Sequence, residues 1–207
     1  MRTLVIASQK GGVGKTTIAG HLGVIAESRG EGPVALIDTD PQGSLSSWWN
    51  ERKAETPVFA SVSIENLAAH LKQLKNAGVK LAIIDTPPAV TETIRKVLAV
   101  ADLVLIPTRP SPHDLRAVGS TVELVEAAGK RMVFVINGAA QRAKITGEAA
   151  IALSQHGTVA PVTLYQRTDF AASMIDGRTA QEIDASSRSA TEIFNLWNYV
   201  SAQLRKS

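Results

Sequence analysis

At 207 residues, with 44% apolar residues, the chain is long enough to bury a substantial core within one domain. It contains no cysteine, which excludes disulfides, thiolate metal sites and thiol catalysis, and no stretch approaches the ~20 apolar residues that span a bilayer. The net charge of +3 is unevenly placed: residues 1–128 hold 13 Lys/Arg and 13 Asp/Glu, while 129–207 hold 9 and 6. A polyanion-binding surface is therefore expected in the C-terminal third.

In chain order, a strand-like stretch from Thr3 to Ser8 leads into Gln9-Lys10-Gly11-Gly12-Val13-Gly14-Lys15-Thr16-Thr17, and a helix-like stretch follows from Ile18 to Arg29. This is the context of a phosphate-binding loop. Glycines let successive N–H groups converge on phosphates, and the helix N-terminus adds its positive dipole end. Lys15 is expected to reach the β/γ-phosphates and the Thr16 hydroxyl to hold Mg²⁺. Met1-Arg2-Thr3 runs straight into this site, so a cleaved leader is not expected and a cytoplasmic location is.

Further apolar runs follow at Val34–Ile37, Leu81–Ile84, Leu103–Ile106 and Met132–Ile136, with shorter ones near Val58 and Val159. Helical spacing separates them: Ile64, Leu67, Leu71 and Leu74 form one such face, and Val97, Leu98 and Ala101 another. The alternation predicts an α/β fold, a mostly parallel twisted β-sheet with helices on both faces, and with the phosphate-binding loop it reads as a single P-loop domain spanning 1–207. Ligands in such a sheet bind at the carboxyl ends of the strands.

Carboxylates and amides stand at those ends. Val34–Ile37 closes on Asp38-Thr39-Asp40-Pro41-Gln42-Gly43-Ser44, where a carboxylate can accept a proton from water aimed at a γ-phosphate. The competing reading is that one of the two aspartates caps a helix starting near Ser44. Leu81–Ile84 closes on Asp85-Thr86-Pro87-Pro88, the Walker B arrangement, with Asp85 holding Mg²⁺ through a water. The proline-rich loop from Ile106 to Leu115 is expected to be stiff, and Phe134–Ile136 closes on Asn137. His21, His70, His113 and His156 lack metal-ligand spacing, and Trp48-Trp49 reads as core or interface. Ile193, Trp197, Val200 and Leu204 share one face of a C-terminal helix expected to pack on the sheet.

The loop departs from G-x-x-x-x-G-K-[ST] at Gln9 and adds Lys10 before its Gly-Gly pair. KGGVGKTT, with DTDPQGS and DTPP, resembles the deviant Walker A ATPases of the ParA/MinD family, in particular short ParA proteins without an N-terminal DNA-binding domain. The resemblance is strong over 1–45 and 80–115 and weaker beyond 130. It implies ATP and Mg²⁺ as cofactors, a nucleotide site from Lys10 to Thr17, and Lys10 reaching across a homodimer, or a higher-order assembly, to the partner subunit's nucleotide. Asp40 would position the attacking water, making Lys10, Lys15 and Asp40 the catalytic set. Asp38 would lie near the metal's water shell beside Thr16 and Asp85, and Asn137 would recognise adenine, unless it serves a turn with Gly138.

The looser match near the C-terminus nominates Arg142, Lys144, Arg167 and Arg178 for phosphates of non-specific DNA, the competing reading being solvated or ion-paired side chains. The implied function is an ATP-dependent partition switch that segregates plasmid or chromosomal DNA, nucleoid-associated and stimulated by a centromere-binding ParB-like protein or another adaptor. Alternatives are a positioning ATPase for a protein cargo and a MinD-like membrane-associated ATPase, with membrane binding not expected from the C-terminal stripe. A biosynthetic enzyme of the dethiobiotin synthetase type would need a carboxylate-substrate pocket for which no feature is seen. The missing cysteines set the chain apart from nitrogenase iron protein and the metalloid-pump ATPases.

Overall fold

In the computed structural model, which describes residues 1–88 and 92–206, the apolar runs become strands β1 (Arg2–Ile6), β2 (Val34–Asp38), β3 (Val58–Phe59), β4 (Leu81–Asp85), β5 (Leu103–Thr108), β6 (Met132–Ala139) and β7 (Thr158–Tyr165). They form one sheet in the order β3-β2-β4-β1-β5-β6-β7, with every pairing parallel. Successive side chains alternate between two cores. Leu4, Ile6, Leu36, Ile83 and Leu105 face one, and Val5, Ala7, Ile37, Ile84 and Val104 face the other. Both faces are covered, which is why these strands read as unbroken apolar runs.

The first core is closed by α1 (Lys15–Ser28), α2 (Ser44–Asn50) and α9 (Arg188–Leu204). Ile193, Trp197, Val200 and Leu204 are all buried there, as the helical stripe predicts. The second is closed by α3 (Leu67–Asn76), α4 (Glu92–Ala99), α5 (Pro112–Ala127) and α6 (Lys144–Ser154). Between β7 and α9 run α7 (Thr168–Ser173), a 3-10 turn at Met174–Asp176, and α8 (Ala180–Ile183).

Strand order positions the site. β1 lies between β4 and β5, so the chain leaving β1 passes beside the carboxyl end of β4, and Asp85 stands in register with Ile6 on one side and Asp38 on the other. The crevice at this reversal of strand order is where open α/β sheets take ligands.

A second arrangement joins α2 to the chain before α8. Trp48 Nε1 donates to the Arg178 carbonyl at 3.1 Å. The buried Arg52 guanidinium lies over the Trp48 ring and donates to the Gly177 and Thr56 carbonyls and to both oxygens of Glu182. Gly177 has φ +75°, and a Cβ there would fall on the backbone of Glu51 and Arg52. Gly129, at φ +64°, has open space around it. Gly129→Ala should therefore cost only the left-handed strain of about 1–2 kcal/mol. Gly177→Ala should exceed it by a further ~1–3 kcal/mol of overpacking, and equal urea midpoints for the two variants would contradict this reading.

Candidate functional site

A cleft of about 860 Å³ opens at the carboxyl end of the sheet. One wall is the glycine loop after β1. Gly14 is the N-cap of α1 at φ 89°, and no side chain caps the helix, which leaves its first-turn N–H groups for a ligand. The loop is held from behind by Asn137 on β6, whose Nδ2 donates to the Val13 carbonyl at 2.7 Å. A Cβ at position 14 would collide with that amide, so the glycine is required by close approach as well as by its φ. Asn137 also lines the cleft, and its side-chain hydrogen bond is to the loop.

Lys15 is 7% exposed and its Nζ donates to the Lys10 carbonyl at 3.4 Å. Burial lowers its pKa, while the carboxylates of Asp85 and Asp40 hold it up. Next to it, the Thr16 hydroxyl donates to Asp85 Oδ2 at 2.6 Å. Burial pushes the Asp85 carboxyl up to about 7 against that hydrogen bond, with Asp38 and Asp40 adding to the rise and Lys15 opposing it. Asp85 Oδ1 is buried without a hydrogen-bond partner among the described residues. A hydroxyl and an orphaned carboxylate oxygen fit a hard divalent cation that takes its other ligands from phosphates and water. Among the described residues no group of three or more His, Asp or Glu could hold a metal unaided.

The two aspartates after β2 divide their labour. Asp38 Oδ2 accepts from the N–H groups of Leu45 and Ser46, and Oδ1 from that of Asp40. Asp38 is thus the residue that caps α2, with both oxygens engaged by backbone. Asp40 lines the cleft, and its Oδ1 accepts from the Gln42 N–H at 3.0 Å. Lys10 is exposed and lies outside the lining of its own cleft.

The far wall holds residues that sequence reasoning left without this role. Arg167 lines the cleft, and its Nε and Nη2 donate to Glu192 Oε1 at 2.9 and 2.6 Å, while Glu192 Oε2 accepts from the Tyr165 N–H. That hydrogen bond raises the pKa of the Arg167 guanidinium. Arg178 is engaged as well, by Asp176 at 2.6 Å. Arg142 and Lys144 are exposed at the start of α6. Of the four arginines and lysines nominated for DNA, Arg167 and Arg178 are ion-paired, and Arg167 lines the cleft. Arg109 and Gly138 also line it, as do Phe170, Met174 and the 77%-exposed Ile175.

The family model described as the CobQ/CobB/MinD/ParA nucleotide binding domain matches residues 4–180. The chain belongs to that family. It is 30% identical over 202 residues, 93% of each chain, to the maintenance of carboxysome distribution protein A of Halothiobacillus neapolitanus. It is also 30% identical over 183 residues to the protein ParA of Rhizobium radiobacter, covering 83% of this chain and 82% of that one. A solved Cyanothece McdA variant in complex with ATP superposes with a TM-score of 0.76 at 20% identity, over 99% of this chain and 96% of that one, an agreement of fold. No helix among the described residues is long and apolar enough to cross a membrane.

Within this MinD/ParA-family site, His21 of α1 ties the phosphate-loop helix to the segment before α8. Its Nδ1 is 2.8 Å from the Thr17 carbonyl, and Nε2 accepts from the Ala180 N–H at 3.1 Å, an arrangement that suits neutral imidazole. Burial lowers its pKa to about 4, against the Thr17 carbonyl and Glu182, which raise it. The unfolded chain protonates this imidazole near its ordinary 6.5. Between those values the unfolded state binds the extra proton, so stability falls as pH falls. Asp85, raised to about 7, works in the opposite direction. The test is therefore the difference between the wild type and His21→Gln in urea. Relative to the variant, the wild type should lose about 3 kcal/mol between pH 7 and pH 4, and a constant difference would refute the buried neutral imidazole.

For the far wall, Arg167→Ala should raise the nucleotide dissociation constant about tenfold through loss of a charge-assisted contact. An unchanged constant would place the nucleotide away from Arg167.

Proposed function

We propose that the chain is a Mg²⁺-dependent ATPase whose nucleotide cycle positions a protein cargo on non-specific DNA. The observation that carries the cargo reading is the near full-length match to a carboxysome distribution protein. The expectation of plasmid or chromosome segregation is the second reading, favoured by the ParA relative. The cleft suits either, since nothing in it would contact a cargo.

The residues supply the parts of phosphoryl transfer to water. The first-turn amides of α1 and the Lys15 ammonium hold the β- and γ-phosphates, and the buried Lys15 acts more strongly there than it would in water. Thr16 and Asp85 would hold magnesium. When bound, the metal draws off the charge that develops on the phosphate oxygens. Asp40, free of the helix-capping duty that engages Asp38, orients the attacking water and accepts its proton. Asn137 keeps the loop in shape and, from the cleft lining, can reach the base. Lys10, exposed and outside the lining of its own cleft, meets the nucleotide of a second protomer in an ATP-bound homodimer. An adaptor protein accelerates hydrolysis and so releases the dimer.

Lys15→Ala should abolish hydrolysis, and Asp40→Ala should reduce it by two or more orders of magnitude while an ATP-bound dimer accumulates on size exclusion. Wild-type turnover by Asp40→Ala would remove that residue from the chemistry. For the cargo, cells lacking the chain should inherit plasmids and chromosomes normally while a protein assembly loses its even spacing; plasmid loss with every protein assembly in place would decide for the partition reading.

A further inference from the structure

The end of the sheet opposite the cleft carries a band of cations stitched together by the fold. Arg2 opens β1, and its N–H donates to the carbonyl of Lys80, which precedes β4. Lys130 and Arg131 precede β6, and the Arg131 guanidinium donates to the Gln203 carbonyl at the end of α9. Arg205 and Lys206 follow directly. Arg205 and Arg2 meet on one carboxylate, Glu31, at 3.1 and 3.5 Å. Six cations thus lie along the starts of β4, β1 and β6 and the end of α9. With neighbouring strands about 4.8 Å apart, the strip is roughly 15 Å wide.

Its acids are committed inward. Glu31 also accepts from Trp197 Nε1, and Asp102 accepts from the Thr3 N–H at 2.7 Å. Glu126, an exposed acid, stands in the last turn of α5. The helices α1, α3, α4, α5 and α9 all end on this side of the sheet and add about half a negative charge each, which together with Glu31 and Asp102 still falls short of the six cations. Lys80 and Lys206 are exposed, and neither side chain has a partner among the described residues; Arg205 is 62% exposed.

We infer that this band, rather than the arginines near the cleft, is the surface that takes the phosphate backbone of duplex DNA; this rests on the DNA-binding reading above. Cations here contact phosphates without reading sequence, as a positioning ATPase requires. An anionic membrane fits less well, because interfacial binding needs an apolar face. The exposed large apolar residues among those described are Val58, Ile151, Ile175 and Ile183, none of them in the band, and the apolar stripe of α9 is buried.

The test is fluorescence anisotropy of labelled duplexes of unrelated sequence with ATP and Mg²⁺, across a salt series. Lys80→Ala/Lys206→Ala should flatten the dependence of log K on log salt by about 2, since each phosphate contact contributes about 0.9. Its ATP turnover should be unchanged, which shows that fold and cleft are intact. Arg142→Ala/Lys144→Ala, at the opposite end, should keep the wild-type slope. The reverse pattern would overturn the band while leaving DNA binding in place. No DNA binding by the wild type at any salt would overturn the DNA reading itself. Binding to phosphatidylserine vesicles that is lost in Lys80→Ala/Lys206→Ala would replace DNA with a membrane as the partner.

Discussion

Asp85 is buried at the end of β4 with one oxygen bonded to the Thr16 hydroxyl and the other without a partner among the described residues. A charge in that position is costly unless a cation joins it, and the surrounding fold is arranged so that one can. The parallel register of β4 with β1 and β2 places the carboxylate between the phosphate loop and Asp38. Asp38 in turn holds α2 by its N-terminus, which leaves Asp40 as the carboxylate turned to the cleft. Ionisation of Asp85, the shape of the loop and the placement of Asp40 in the cleft are thus one problem, settled by three adjacent strand ends. The same reasoning explains Asn137. Its side chain, on a neighbouring strand, holds the loop by the Val13 carbonyl and leaves the loop amides for a ligand.

Much of this was legible in the sequence, for identifiable reasons. A strand buried on both faces must be apolar throughout, so the five longer runs announced five parallel strands, while the shorter runs near Val58 and Val159 marked the partly exposed edge strands β3 and β7. The phosphate loop is local, and its glycines and Lys15-Thr16 pair need no distant partner to be recognised. What stayed hidden depends on residues far apart in the chain. Asp38 and Asp40 are two residues apart and chemically alike; only the approach of the Leu45 and Ser46 amides separates their duties. Arg167 looked like a surface cation because Glu192, its partner, lies 25 residues on. His21 had no sequence signal at all, since its other contact is Ala180. The identity of a cargo was beyond reach for a different reason, as the cleft that carries every motif would not touch it.

The cleft and the basic band are joined by α9. Glu192, in its first turns, fixes Arg167 and the Tyr165 backbone at the cleft. Arg205 and Lys206, just past its end, lie in the band, about 20 Å away at 1.5 Å per residue. The helix is buried along the stripe of Ile193, Trp197 and Val200, and it is pinned near its end by Arg131 to the Gln203 carbonyl and by Glu31 to Trp197. Such an element holds the two ends of the molecule at a fixed distance. It gives no reason to expect that filling the cleft reshapes the band.

That rigidity bears on how nucleotide could control DNA affinity. In a dimer closed through the two clefts, the bands lie at the far ends, so no continuous basic surface forms between protomers. Under the DNA reading, each band would keep its own modest affinity, set by a few phosphate contacts and sensitive to salt. Dimerisation would instead make the molecule bivalent, and on long DNA the second contact would form at a high effective concentration, raising overall affinity by orders of magnitude without any new contact. Hydrolysis would end this by separating the protomers rather than by altering either surface. On this account the length of the DNA decides the ATP dependence: short duplexes that reach only one band bind the ADP and ATP forms alike, and long or looped DNA distinguishes them.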